Sequence, residues 1–279
     1  MTYKTILACL TTEESAREIL PTACDLARRF DAHLIGIHTL QGPVVHPSIG
    51  YYPGTPIIMP YYDTARTDND AIKSVFDEIT KNEDFVAEWR SLAAKSQNAS
   101  TELIRNAFQA DLIIVDHPDK HDRSDQSGLQ KDLILQSGRP VLEIPAAHAN
   151  KPIGKEILVA WNATRESTMA VHNALPLLVQ AETVVLFTVT QRNNHPDSVE
   201  VEGHELAAAL ARHGVKTKVV HVDQSKPTMG EQIIHQAAIE GSDLIVMGAY
   251  GHSRFHNFIF GDATNHLLKS SPLPIVFSA

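Results

Sequence analysis

The chain has 279 residues, 43% hydrophobic and 20% charged, the balance of a folded globular protein of two ordinary domains or one large one. Its net charge of −9 argues against neutralising a phosphate backbone by bulk charge, so no nucleic-acid partner is expected. Only Cys9 and Cys24 are present, which excludes a disulfide framework and a cysteine-rich zinc module.

Strands are predicted near 4–10, 33–39, 85–91, 111–115 and 140–144, each a short apolar run. The stretch 41–63 reads as a long loop with five prolines and four tyrosines, suited to a lid or a docking surface, or to a coil packed on the neighbouring sheet. After small residues, Pro152 and Gly154, the pattern begins again. A strand is predicted over 156–161 and a helix over 166–179, with Pro176 near its end or kinking it. Further strands fall at 183–189, 216–222, 243–247 and 274–277, with helices at 199–213, 230–239 and 264–270. No apolar run approaches the ~18 residues of a membrane span, and the opening MTYKTILACLTTEES does not read as a leader. A soluble, cytoplasmic chain is expected.

The restart is a repeat. YKTILACL at 3–10 matches GKEILVAW at 154–161, ADLIIVD at 110–116 matches SDLIVMG at 242–248, and RPVLEI at 139–144 matches LPIVFS at 273–278. The pairs occur in one order, so the chain divides into a first domain, 1–146, and a second, 154–279. Nearly all-apolar strands alternating with helices imply an α/β fold. Two tandem doubly wound five-stranded parallel sheets follow, each in the order 3-2-1-4-5 with helices on both faces. Ligands bind such sheets at the carboxyl ends of strands 1 and 4, here around 161–164 and after Met247. Strand 5 of each copy is an edge, and the two are expected to pair, making the chain an intrachain pseudo-dimer.

The loop after the fourth strand of the second copy carries Gly248, Gly251 and Gly261 at a G-x2-G-x9-G spacing. If Gly261 opens the next helix, the N–H groups of Asp262, Ala263 and Thr264 face the crevice as an anion site, and the Thr264 hydroxyl adds a donor. These glycines can equally be turn residues and helix caps. In its strand–loop–helix setting, the spacing closely resembles the universal stress protein family, and the resemblance covers both copies. It implies a non-enzymatic stress-response protein that binds adenine nucleotide, ATP with Mg2+, as a regulatory ligand. Under that resemblance Gly248 and Gly251 lie against ribose and phosphates, Gly261 and Thr264 hold the terminal phosphates, and Asn162 and the backbone near Val189 take the base.

Two positions depart from the family pattern. Asp262 stands where Ser or Thr is usual, and like charges ~4–5 Å apart repel by about 3–4 kcal/mol at an effective dielectric of ~20. Asn162 stands where an Asp is usual; its amide oxygen still accepts. In the first copy the first two glycines are replaced by Asp116 and Asp119, the third faces Leu129 or Ser127, and Thr11 takes the place of the strand-1 acid. The first copy is therefore expected to be degenerate, and nucleotide to be confined to the second.

No catalytic constellation is present: there is no G-x-S-x-G elbow, H-E-x-x-H helix or P-loop. His117, His121, Asp119 and Asp122 have metal-ligating chemistry without a fixed spacing, so a solvated loop is favoured and no metal site is assigned. His252, His256, His266 and Arg254 flank the glycine loop as further phosphate or metal contacts, or as ordinary surface side chains. The alternatives to a nucleotide-binding regulator are an interaction scaffold with an unknown protein partner, or a slow metal-dependent phosphohydrolase. A homodimer is compatible with all three.

Overall fold

The computed structural model describes residues 2–40, 58–93, 99–117, 128–190, 196–249 and 259–279. In the first half β1 (Thr5–Cys9), β2 (His33–Leu40), β3 (Ala87–Ala93), β4 (Leu112–Asp116) and β5 (Val141–Ile144) alternate with α1 (Glu13–Phe30), α2 (Ile58–Thr80), α3 (Ala99–Ala107) and α4 (Leu129–Gln136). The second half contains β6 (Glu156–Ala160), α5 (Arg165–Asn173), α6 (Leu175–Gln180), β7 (Thr183–Thr190) and α7 (Pro196–Ala211). It continues with β8 (Thr217–Asp223), α8 (Met229–Glu240), β9 (Leu244–Gly248), α9 (Ile259–Ser270) and β10 (Ile275–Ser278).

Every pairing within a half is parallel, and each half has the expected 3-2-1-4-5 order. The two five-stranded sheets become one sheet of ten because β5 and β10 pair antiparallel, with Glu143 opposite Ile275 and Val141 opposite Phe277. That junction satisfies backbone groups that would otherwise form exposed edges.

Burial on both faces follows from the apolar strands. Alternate residues such as Ile6, Ala8, Val159 and Val276 pack under α1, α2, α5, α6 and α7. Their neighbours Leu7, Ile113, Leu158 and Phe277 pack under α3, α4, α8 and α9. Cys9 and Cys24 are buried in these cores, and burial pushes both thiols up to about 12, as inert structural cysteines require.

Three expectations need correction. The helix predicted over 166–179 is two helices, because Pro176 lacks the N–H that would continue α5 and instead enters the first turn of α6. The loop predicted over 41–63 is helical from Ile58 onward, as α2; residues 41–57 lie outside the described residues. The helix predicted over 264–270 starts five residues earlier, at Ile259. Apolar Ile259 and Phe260 continue the helical pattern backward, and a single Gly261 is tolerated in a first turn.

Candidate functional site

The switch point of the second half lies where β6 separates β7 from β9, with Ala160 paired to Phe187 on one side and to Met247 on the other. The chain leaves β6 through Trp161, whose N–H donates to the Phe187 carbonyl at 2.9 Å. It then turns through Asn162 and Ala163 into α5. Thr164 caps that helix: its hydroxyl accepts from Ser167 N–H at 3.3 Å, and Ser167 Oγ accepts from Thr164 N–H at 3.0 Å. The Thr164 hydroxyl also donates to Asn162 Oδ1 at 2.9 Å, so the amide proposed for a base is fixed against the helix start.

Gly248 ends β9 directly under this helix start. A Cβ there would lie 2.5 Å from the Glu166 carbonyl carbon and from Ser167 N, and 2.9 Å from Glu166 Cβ. Backbone cannot yield as a flexible side chain does, so only glycine lets α5 approach β9 this closely. The requirement arises from packing, independently of any ligand. Glu166 itself is buried, with its carboxylate 3.6 Å from Arg165.

Val189 lies half-buried near the end of β7, packed on the core of the α8–α9 face. Beside it, Thr188 Oγ1 and Thr190 Oγ1 bond the two ring nitrogens of His221 at 2.8 and 2.7 Å. A neutral imidazole offers one donor and one acceptor, and hydroxyls complement either, so this bridge holds β7 to β8 beside the crevice. The sequence reading missed it, although Thr-x-Thr opposite a histidine in adjacent strands is visible once the strand pairing is known.

The earlier start of α9 changes which amides lie outside its ladder. A helix beginning at Ile259 leaves the N–H groups of Ile259, Phe260 and Gly261 outside its ladder, while those of Ala263 and Thr264 reach back to the first carbonyls. Gly261 therefore lies within the first turn rather than ahead of it. Asp262 follows in the same turn, and Thr264 is fully buried. Gly251, Arg254, His252 and His256 lie outside the described residues, as do Asp119, His121 and Asp122.

The equivalent region of the first half is built from different chemistry. Leu10 N–H donates to the Ile37 carbonyl as Trp161 does to Phe187, but the turn that follows is one residue shorter and reaches its cap at Thr12. Asp116 stands at the place of Gly248 and accepts from the Thr11 hydroxyl at 2.9 Å. His117 and Glu143, at the places of Ala249 and Phe277, meet through Nδ1 and Oε1. Gln130, at the place of Thr264, donates to the Asp116 carbonyl at 3.3 Å. His38 at the end of β2 is buried and donates from Nδ1 to the Leu10 carbonyl at 2.7 Å; burial lowers its pKa and keeps the ring neutral. Among the described residues no group of three or more His, Cys, Asp or Glu is arranged to hold a metal ion.

A doubly wound parallel sheet is shared by a broad class of proteins that bind ligands at the switch point, and the comparisons narrow it. Residues 154–277 match the universal stress protein family. That match lies within the second half of the chain, which is similar to the family. Comparison with curated proteins finds no match. Among solved structures, a universal stress protein from Archaeoglobus fulgidus DSM 4304 is 14% identical, with a TM-score of 0.70, over 98% of this chain and 95% of that one. A putative universal stress protein from Pseudomonas aeruginosa UCBPP-PA14 is 15% identical, with a TM-score of 0.65, over 99% of this chain and 93% of that one. At these identities the likeness is one of fold, and it spans both halves. Among the described residues no helix is long and apolar enough to cross a membrane.

Proposed function

We propose that the second half binds an adenine nucleotide, ATP, as a regulatory ligand in the crevice between β6 and β9. The chain then acts as a cytoplasmic, non-enzymatic stress-response protein through a protein partner, alone or as a homodimer. The carrying observation is the difference between the two crevices. Where the first half sets Asp116 and Glu143 at the strand ends, the second sets Gly248 and Phe277, so the carboxylates that oppose a phosphate are gone. The amides of Ile259, Phe260 and Gly261, outside the α9 ladder, supply anion donors, with Gly251 and Thr264 as further contacts. Asn162 and Val189 flank the base side.

Asp262 is the one group in that turn whose chemistry opposes phosphate and favours a cation. Mg2+ bound with the nucleotide would be held by Asp262 and the phosphates, and would supply charge neutralisation. The interaction-scaffold reading draws on two observations: Thr264 is fully buried, and the oxygen of Asn162 is already engaged by Thr164.

Calorimetric titration of the full chain with ATP, with and without Mg2+, separates the readings. The nucleotide reading expects one site per chain, strengthened by Mg2+. Asp262→Ser should tighten metal-free binding at least tenfold, about 1.4 kcal/mol, and Gly261→Val should remove it. Two sites per chain would refute the assignment to the second half. Absence of binding to both wild type and Asp262→Ser would establish the scaffold reading instead.

A further inference from the structure

The first half keeps its strand order but places a carboxylate in the middle of the ten-stranded sheet. Glu143 lies on β5, paired on one side with Val115 of β4 and on the other with Ile275 of β10. It is 2% exposed, and among the described residues its Oε2 has no hydrogen-bond partner. A side chain of this kind in the strand that joins two halves is not there for packing, since Phe277 fills the equivalent place in the second half and is fully buried. His117 Nδ1 meets Oε1, and the His117 ring is 17% exposed, so the pair has a route for protons to solvent.

Among the described residues, the surroundings leave the carboxylate little else. From β4 the charged or titratable groups that act on it are His117 and Asp116, and the Asp116 charge opposes its ionisation. From β10 the facing residue is Ile275. From α4, which packs over β5, the buried residues are Leu129, Gln130, Leu133 and Ile134, with Lys131 exposed and Asp132 half-buried. Gln130 brings a second acceptor, Oε1, that also lacks a partner among the described residues. Buried acceptors without donors are costly, and a proton is the simplest remedy.

We propose that Glu143 and His117 form a proton-controlled clasp on the β5–β10 junction, holding the halves together when Glu143 is protonated and loosening them as the proton leaves. With Glu143 protonated, no carboxylate charge is buried at its contact with His117 Nδ1. When that proton is released to solvent, a carboxylate charge remains buried against His117. Burial raises the Glu143 pKa above the ordinary carboxylate value, against the lowering effect of His117, and Asp116 adds to the rise. A raised acid stabilises the fold fully below its unfolded value of ~4.3 and loses that contribution as pH rises through the folded value.

The test is urea unfolding of full-length wild type and Glu143→Gln from pH 4.5 to 8. The Gln side chain keeps the shape without the charge. The ratio of the folding constants, Glu143→Gln over wild type, should rise at least tenfold across that range, and a ratio independent of pH would overturn the proposal. His117→Phe removes the facing donor and should deepen the loss at pH 8; a curve superimposed on wild type would show that His117 is not part of the clasp. Should Glu143→Gln fail to fold, hydrogen exchange on the wild type decides. Protection of the β5 and β10 amides, corrected for intrinsic rates, should fall relative to β1 and β2 as pH rises. Unchanged relative protection would refute the clasp.

Discussion

The two halves share a strand order and a switch point, yet they fill the carboxyl ends of their strands in opposite ways. In the second half, small and apolar residues occupy the floor: Gly248, Ala249 and Phe277. In the first, Asp116, His117 and Glu143 stand at the same places and spend their polar groups on one another and on Thr11 and Gln130. A buried Phe contributes roughly 1.5–3 kcal/mol by transfer from water, whereas a buried carboxylate must be paired or protonated to be tolerated. At these strand ends one copy of the repeat thus carries no carboxylate, and the other builds a polar network from Asp116, His117 and Glu143. The fold tolerates both, because its stability rests on the two cores on either side of the sheet rather than on the crevice.

The helix that follows strand 1 shows how the divergence is built. In the second half the turn has an additional residue, Ala163, with φ of 55°, and α5 drops against the Gly248 backbone. In the first half the turn is shorter, and the position equivalent to Gly248 carries the Asp116 side chain. Gly248→Ala tests this directly. A methyl group 2.5 Å from two backbone atoms forces α5 outward, and overpacking of that kind costs about 1–3 kcal/mol. Urea unfolding should show the loss without any ligand. Unchanged stability with weakened ATP binding would mean that Gly248 serves the ligand alone, and the contrast between the halves would then be one of chemistry and not of packing.

Much of this was legible in the sequence, because its carriers are periodic. Apolar strands, the order of the matched segments and the edge character of Val141–Ile144 and Ile275–Ser278 were enough to place all ten strands and to anticipate the β5–β10 pair. Helix ends were less visible. Propensity alone does not say that Gly261 continues a helix begun at Ile259, since a glycine after an irregular loop reads equally well as a boundary. The role of Gly248 was hidden for another reason: the atoms it must avoid belong to Glu166 and Ser167, 82 and 81 residues earlier in the chain. Glu143 was written openly in VLEI, an acid in an otherwise apolar strand. What it touches depended on pairing that the sequence does not state.

A smaller effect separates the two helix caps. Thr12 accepts from Ser15 N–H at 3.1 Å and carries the start of α1. Thr164 does the same for α5 and also donates to Asn162 Oδ1. Replacement of an N-cap Thr by Ala costs about 1 kcal/mol, so Thr12→Ala and Thr164→Ala should both lower the unfolding midpoint. The second should cost more, because it also releases Asn162, and a double replacement of Asn162 and Thr164 by Ala should cost less than the sum of the two singles. Equal losses and strict additivity would show that Asn162 is not held by the cap.

The smallest effect should be a gain. Ala163 is exposed and occupies the left-handed region at φ 55°, where its Cβ crowds the following carbonyl oxygen at a cost of roughly 1–2 kcal/mol. Glycine removes that strain but enters folding with a larger loss of backbone freedom, worth about 0.5–1 kcal/mol against alanine. The balance leaves Ala163→Gly more stable by about 0.5–1 kcal/mol, read as a higher urea midpoint at an unchanged slope. The first half has no residue at this point, so no equivalent gain is available there. A fall in stability on Ala163→Gly would mean that the turn does not hold its left-handed residue in solution. The close seat of α5 on Gly248 would then need another origin than the longer turn.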